Sequence, residues 1–251
     1  MIPNPIRKVL STMAARQVRA RLMGGQACVF YGAAEFSRDA DLAILGDEDN
    51  LRCLRHALAD LQAEGVAVPP FERQFLQRGH AVHFRCQHPE AKGLRVDVMS
   101  VMRGVDAFPI LWGRRTTVED ADGTSFELLS LPDLVQAKKT QRDKDWPMIR
   151  RLLEADYAAG AQQVPTRQRR EFWLREMRTC ELLIEVAETN PDVAQDFLHH
   201  RPLLAQALSN RRTELEDALV EEEKAERERD RVYWRPLKAE LEKLRRIELQ
   251  K

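Results

Sequence analysis

The sequence predicts an α+β fold: a mixed β-sheet flanked by helices, followed by an all-α C-terminal region. Three observations lead there. The stretches HAVHFRCQ (80–87) and GLRVDVMSVM (93–102) alternate at period two and read as paired strands. Helical spacing of apolar residues is interleaved with them up to about residue 130, and from Leu131 onward the helical period persists. No internal repeat is visible. The expected division is 1–130 for the mixed part and 131–251 for the helical part.

Composition narrows the function classes. The chain has 251 residues, 43% hydrophobic and 32% charged, with a net charge of zero. A protein that wraps duplex nucleic acid is usually basic, so only a local RNA contact remains open. Cys28, Cys53, Cys86 and Cys180 lie far apart without a C-x-x-C pair, which argues against a cysteine zinc site or a disulfide framework. They are expected to be free thiols, several in the core. The opening MIPNPIRKVLSTM has no secretory apolar core and no run approaches a membrane span, so a cytoplasmic location without membrane contact is expected.

The elements follow in order. Ile6, Val9, Leu10, Met13 and Ala14 give residues 5–17 an amphipathic helical face. Residues 18–23 are short and end at Gly24-Gly25, a turn signal. ACVFYG (27–32) fits a strand or a short buried helix. Residues 40–45 read as a strand. DEDNLRCLRHALADLQAEG (47–65) is a helix with an acidic start, Leu51, Leu54, Leu58 and Leu61 on one face, and Gly65 at its end. Pro69-Pro70 breaks the chain before a short helix in FERQFLQRG. In the second period-two stretch Leu94, Val96 and Val98 share one face, and Arg95, Asp97 and Met99 the other. Asp122-Gly123 signals a hairpin within 107–130. Ser130 is the expected N-cap of the next helix, with Pro132 in its first turn, Asp133 three residues after the cap, and Pro147 dividing it. QQVPTRQRR (162–170) reads as a linker. Helical segments then run through 172–190 and 191–209 to a very polar last helix from about Thr213. In that helix Leu237, Leu241, Leu244 and Ile247 form a narrow stripe beginning at Pro236, fit to dock on the other C-terminal helices or a second chain. Glu240 and Lys243 mark its expected wet side. Trp146 and Trp173 are expected in the core, and His80, His83, His199 and His200 as structural or surface residues without partners.

One stretch carries chemistry. Asp39 and Asp41 open an apolar strand two residues apart, so they share a face with Cα atoms roughly 6.5–7 Å apart. Neighbouring carboxylates repel unless positive charge lies between them, and hard oxygen donors suit Mg²⁺ or Mn²⁺. Taken singly, such a pair is commonly a solvated strand start, Gly24-Gly25 a turn, and Asp97 a wet strand residue.

Taken in order, MGG, DADL and VDV resemble the h-G-[GS], D-h-[DE]-h and h-[DE]-h pattern of the DNA-polymerase-beta-like nucleotidyltransferases. FSRDAD after the Gly-Gly, and the helix SLPDLVQAKKTQRDKDW, are similar to the AbiEii-like branch of abortive-infection toxins and minimal nucleotidyltransferases. The likeness covers roughly Met23 to Leu153; it departs at Glu35, where that family often has Arg. The resemblance implies a nucleotidyltransferase-type sheet, a helix from Gly25 onward, and residues 131–157 completing the cleft. It implies Mg²⁺-dependent (or Mn²⁺-dependent) transfer of an NMP from an NTP to an acceptor. Asp39, Asp41 and Asp97 would hold metal and act catalytically with Lys138, while Gly24, Gly25, Ser37, Arg38, Lys144 and Asp145 would bind nucleotide. Such chemistry positions groups and neutralises charge, with two ions about 3.5–4 Å apart between attacking and leaving oxygens. The branch further implies a bacterial toxin–antitoxin or defence-type enzyme acting on RNA, such as a tRNA end. A small-molecule or protein acceptor, or a non-catalytic binding or regulatory module, are the alternatives. NTP, RNA, and a protein partner or second copy on the C-terminal helices are the expected partners.

Overall fold

Leu128, Leu22, Leu42, Val98 and Val82 are paired in register across five neighbouring strands, and all five are buried. This row closes one face of the sheet. The computed structural model describes residues 4–119, 123–160 and 164–250. The chain forms α1 (Asn4–Ala15), β1 (Ala20–Met23), α2 (Gly24–Phe30), β2 (Asp39–Ile44), α3 (Glu48–Asp60), β3 (Glu64–Gly65), α4 (Arg73–Arg78), β4 (Val82–Arg85), β5 (Arg95–Met99), α5 (Phe108–Gly113), β6 (Thr116–Glu119) and β7 (Ser125–Leu128). Helices α6 (Leu131–Lys138), α7 (Asp145–Gly160), α8 (Arg167–Glu176), α9 (Cys180–Thr189), α10 (Pro191–Asp196), α11 (Leu204–Leu208) and α12 (Arg212–Glu248) follow. Among the described residues the strands make one mixed sheet in the order β3-β4-β5-β2-β1-β7-β6. The α+β class is therefore as expected.

Two compact units result. The first holds Met1–Phe30, Ala34–Ala137 and Tyr233–Lys251; the second holds Tyr31–Ala33 and Lys138–Val232. The boundary thus falls between Ala137 and Lys138, not at residue 130, and the chain from Tyr233 belongs to the first unit.

In the first unit, α1 buries Ile6, Val9, Leu10 and Met13. Leu10 and Met13 line one cavity with Leu22 and Leu42, so α1 lies on the apolar face of the sheet. Residues 20–23, expected only as a lead-in to a turn, form β1, antiparallel to β2. The sequence ambiguity at 27–32 resolves as the helix α2. Helix α3 begins as expected, with Asp47 accepting from the Asn50 amide, but stops at Asp60 rather than Gly65. Gln62 takes a left-handed conformation (φ 49°), and the Ala63 N–H returns to Leu58 O at 2.8 Å, closing the helix early. Glu64 and Gly65 are then free to pair with Arg85 and Phe84. β4 and β5 pair antiparallel as expected. So do β6 and β7; of their turn signal Gly123 is left-handed (φ 80°), while Asp122 lies outside the described residues. Ser130 caps α6, its Oγ accepting from the Asp133 N–H at 3.4 Å while its hydroxyl donates to Asp133 Oδ2 at 2.6 Å.

Several expectations fail for clear reasons. The helix from Ser130 breaks after Lys138, and Pro147 sits in the first turn of α7, where its missing N–H has no intrahelical role. Helix α8 starts at Arg167, inside the supposed linker, because Thr166 caps it by accepting from the Arg169 amide; residues 162 and 163 of that linker lie outside the described residues. Pro236 lies within α12 rather than at a helix start. Beyond it Leu237 is buried and Ile247 exposed, so the stripe fades along the helix. Glu240 keeps part of its side chain in solvent but also meets Arg78 and His80, each at 2.7 Å. His80, expected without a partner, is fully buried on that contact.

The second unit is helical. Trp146 and Trp173 are buried as expected, and Trp173 Nε1 donates to Asp156 at 2.7 Å. Buried Arg201 and Arg178 share Glu222, at 2.8 and 2.6 Å. None of the four cysteines is in a disulfide, and Cys53 alone among them is half-exposed. Among the described residues no helix is long and apolar enough to cross a membrane.

Asn50 joins three elements of the first unit. Its Oδ1 accepts from Arg19 N (2.7 Å), and its Nδ2 donates to Arg19 O (3.1 Å) and Leu45 O (2.7 Å). Asn50→Ala removes these three part-buried hydrogen bonds at the start of β1 and the end of β2. Equilibrium denaturation should show a loss of about 2–4 kcal/mol; a loss within about 0.5 kcal/mol would mean that this side chain is not a tie.

Candidate active site

One residue along from the apolar row, β2, β5 and β4 each carry a polar residue, and β1 carries Met23. Met23 pairs with Asp41, Asp41 with Asp97, and Asp97 with His83. Asp39 pairs with Arg95 on the same face. β2 and β5 are parallel neighbours, so Asp41 and Asp97 have Cα atoms about 4.8 Å apart. All three carboxylates are half-buried, while Ala40, Leu42, Val96 and Val98 between them are buried. The structure thus brings Asp39, Asp41 and Asp97 together on one face.

The Gly-Gly turn and the D-x-D strand touch. Gly24 has φ +66°, and a Cβ there would stand 1.8 Å from Asp41 Oδ2. A Cβ on Gly25 would stand 2.7 Å from Ser37 Oγ. Each glycine therefore makes room for one residue of the FSRDAD segment. Ser37 Oγ donates to Asp39 O at 3.1 Å, which shapes the loop entering β2. Arg38 and Phe36 are exposed, with the guanidinium 5.9 Å from the ring centroid.

Asp97 has two basic neighbours outside the expected site residues. Arg95 Nε donates to Asp97 Oδ1 at 2.7 Å. His83 Nδ1 lies 2.8 Å from the same oxygen and 3.0 Å from Arg95 Nη2. Protonated, that nitrogen donates to Asp97; deprotonated, it accepts from Arg95. His83, expected without a partner, is thus part of the site. Burial pushes the Asp97 carboxyl pKa up, but the hydrogen bonds and charges of His83 and Arg95 outweigh it and hold it below the usual range. The Asp97 hydrogen bond raises Arg95 against its own burial, and the charges of Asp97, Asp39 and Asp41 add to this. Arg95 therefore stands in the field of all three carboxylates. Its place was readable in principle, since it is two residues before Asp97 and must share its face.

The donor chemistry fits a hard divalent cation: three carboxylates on one face, with a glycine cradling one of them. Their placement is a separate matter. Among the described residues no three His, Cys, Asp or Glu are gathered to hold one ion. Asp97 Oδ1 is turned to Arg95 and His83 instead.

Lys138, Lys144 and Asp145 belong to the second unit. Asp145 opens α7, almost fully buried, and accepts from Lys138 Nζ (3.1 Å), Thr140 Oγ1 (2.6 Å) and Arg142 Nε (2.8 Å). Burial raises its pKa, but the charges of Lys138 and Arg142 and the hydrogen bonds from Thr140 and Lys138 win and hold it low. Lys138 and Asp145 thus clasp the 139–144 loop. The neighbouring Lys139 pairs with Glu176 at 2.7 Å, and Lys144 is exposed.

Neither a protein-family model nor a curated protein matches the chain.

Gly24→Ala should destabilise the protein through backbone strain and the Asp41 clash, by about 2–4 kcal/mol in denaturant unfolding. Asp41→Ala removes the clash, so the double variant should lose less than the sum by about 1 kcal/mol or more. Strict additivity would mean the two motifs do not touch.

Asp145→Asn should cost about 2–4 kcal/mol at neutral pH. A depressed native pKa stabilises above the unfolded value of about 3.9, and that stability disappears as pH falls through the native value below it. The gap between wild type and Asp145→Asn should therefore hold at pH above about 5 and shrink toward about pH 3 in denaturant titrations. A gap that stays constant would deny the carboxylate its role.

Proposed function

We propose that this chain is a nucleotidyltransferase that moves a nucleoside monophosphate from an NTP to an acceptor. One observation carries the reading: Asp39, Asp41 and Asp97 share one sheet face on adjacent parallel strands, and Asp41 packs against Gly24. That is the order and spatial relation which the resemblance of MGG, DADL and VDV implies.

Asp39, Asp41 and Asp97 would hold Mg²⁺ or Mn²⁺. Bound there, the ion supplies positive charge against the phosphate oxygens and the leaving pyrophosphate. The chain's own residues define the rest. A carboxylate held at low pKa is a weak base, so Asp97 suits ligation better than proton abstraction. Ser37 is committed to the Asp39 backbone, so it positions the loop. Exposed Arg38 remains to meet phosphate charge on that loop, where Glu35 brings none. Lys138 serves Asp145, so its contribution is to the shape of the 139–144 loop.

RNA, such as a tRNA end, is the proposed acceptor, within a toxin or defence-type role. The resemblance supports this, while the zero net charge disfavours a large RNA footprint. A second reading, a non-catalytic binding module, draws on the engagement of Asp97 by Arg95 and His83.

Incubation with each labelled NTP, Mg²⁺ and total RNA or lysate tests the first reading. Label should enter RNA and fall at least about 100-fold in Asp41→Asn, as for loss of a metal-supported electrostatic contact. Equal labelling by both proteins would overturn the mechanism. Labelled protein or small molecule in place of RNA would overturn the acceptor alone.

A further inference from the structure

Arg95 occupies a place that alternation along β5 makes unavoidable. It is two residues before Asp97 on the same face and opposite Asp39 in register. Its guanidinium donates to Asp97 at 2.7 Å and reaches His83 Nδ1 at 3.0 Å. A row of three carboxylates repels itself, and this guanidinium is a positive charge set within that row. The Arg95 side chain is 40% exposed, whereas Asp97 is 14% exposed. The arginine therefore has a route into solvent, while the carboxylate does not move away. Val96 and Val98, fully buried on the other face, hold the strand whichever way Arg95 points.

We propose that Arg95 is the resident cation of the carboxylate row, and that a divalent ion shared by Asp39, Asp41 and Asp97 enters only by displacing it from Asp97. This rests on the metal-site reading of the proposed function. The exchange makes no covalent change: one positive group leaves a carboxylate oxygen and another takes its place. Its consequence is a weakened apparent metal affinity, because the competent arrangement, with Arg95 withdrawn and Asp97 Oδ1 left to His83 alone, is a minor fraction of the resting protein. It also accounts for three carboxylates sharing a face in a chain without a three-ligand cluster among the described residues.

The test uses the full chain and Mn²⁺ as probe, with free Mn²⁺ read by electron paramagnetic resonance and folding by thermal melting. Arg95→Gln should bind Mn²⁺ at least about tenfold more tightly than wild type. In EDTA it should melt below wild type, and Mn²⁺ should raise its melting temperature more than that of wild type. Arg95→Lys, which keeps the charge but loses the planar guanidinium fork, should fall between the two and serves if Arg95→Gln does not fold. Asp41→Asn should abolish the binding. Equal Mn²⁺ affinity in wild type, Arg95→Gln and Arg95→Lys, all dependent on Asp41, would overturn the displacement and leave the metal site standing. Weaker binding in Arg95→Gln would also overturn it, making Arg95 an organiser of the site. No Mn²⁺ binding by any form would overturn both this inference and the metal-site reading.

Discussion

In a β-sheet the side chains alternate, so the pairing of Leu22 with Leu42 and of Leu42 with Val98 decides two faces at once. With those residues buried, Asp41 and Asp97 are driven side by side on the opposite face. A slip of one residue between β2 and β5 would place a carboxylate in the apolar layer, where an unpaired charge is not tolerated. The apolar row thus protects the register, and the register assembles the acidic row. The Gly24 contact depends on the same pairing, because β1 leads directly into α2 and must lie beside β2 for Asp41 to meet it.

That acidic row is then an electrostatic problem, and the protein answers it with its own side chains. Arg95 and His83 come from β5 and its antiparallel neighbour β4, both on the carboxylate face. They converge on one oxygen of Asp97, which stays ionised in spite of its burial. Asp39 and Asp41 lie at the entry of β2, where the Ser37 hydroxyl shapes the loop through the Asp39 backbone. Asp145 shows the same principle in the second unit: a buried carboxylate kept charged by a lysine, an arginine and a hydroxyl that together close a short loop.

Much of this architecture was legible. The helices α1, α3 and α4, the β4/β5 pair, the Ser130 cap and the buried tryptophans follow from periodicity and end signals that act within a few residues. The errors have local causes that only neighbours reveal. A four-residue strand such as β1 carries too few alternations to announce itself, and it exists because β2 and β7 flank it. Gln62 closes α3 by a backbone conformation that no residue type demands. Pro236 sits inside a helix because the residues on either side continue it. His80 and Glu240 are distant in sequence, so nothing local paired them.

By itself the sequence determined the faces: which residues of β2 and β5 point together, and hence that Asp39 and Asp41 share a side and that Arg95 accompanies Asp97. Alternation is a property of one strand and needs no partner. Only the tertiary structure decided that β2 and β5 are neighbours, in the register that sets Asp41 against Asp97. It also decided that Gly24 lies against Asp41, that His83 joins Asp97, and that Lys138 answers to Asp145. Those are contacts between segments, set by which buried surfaces fit together, and a chain read one residue at a time does not contain them.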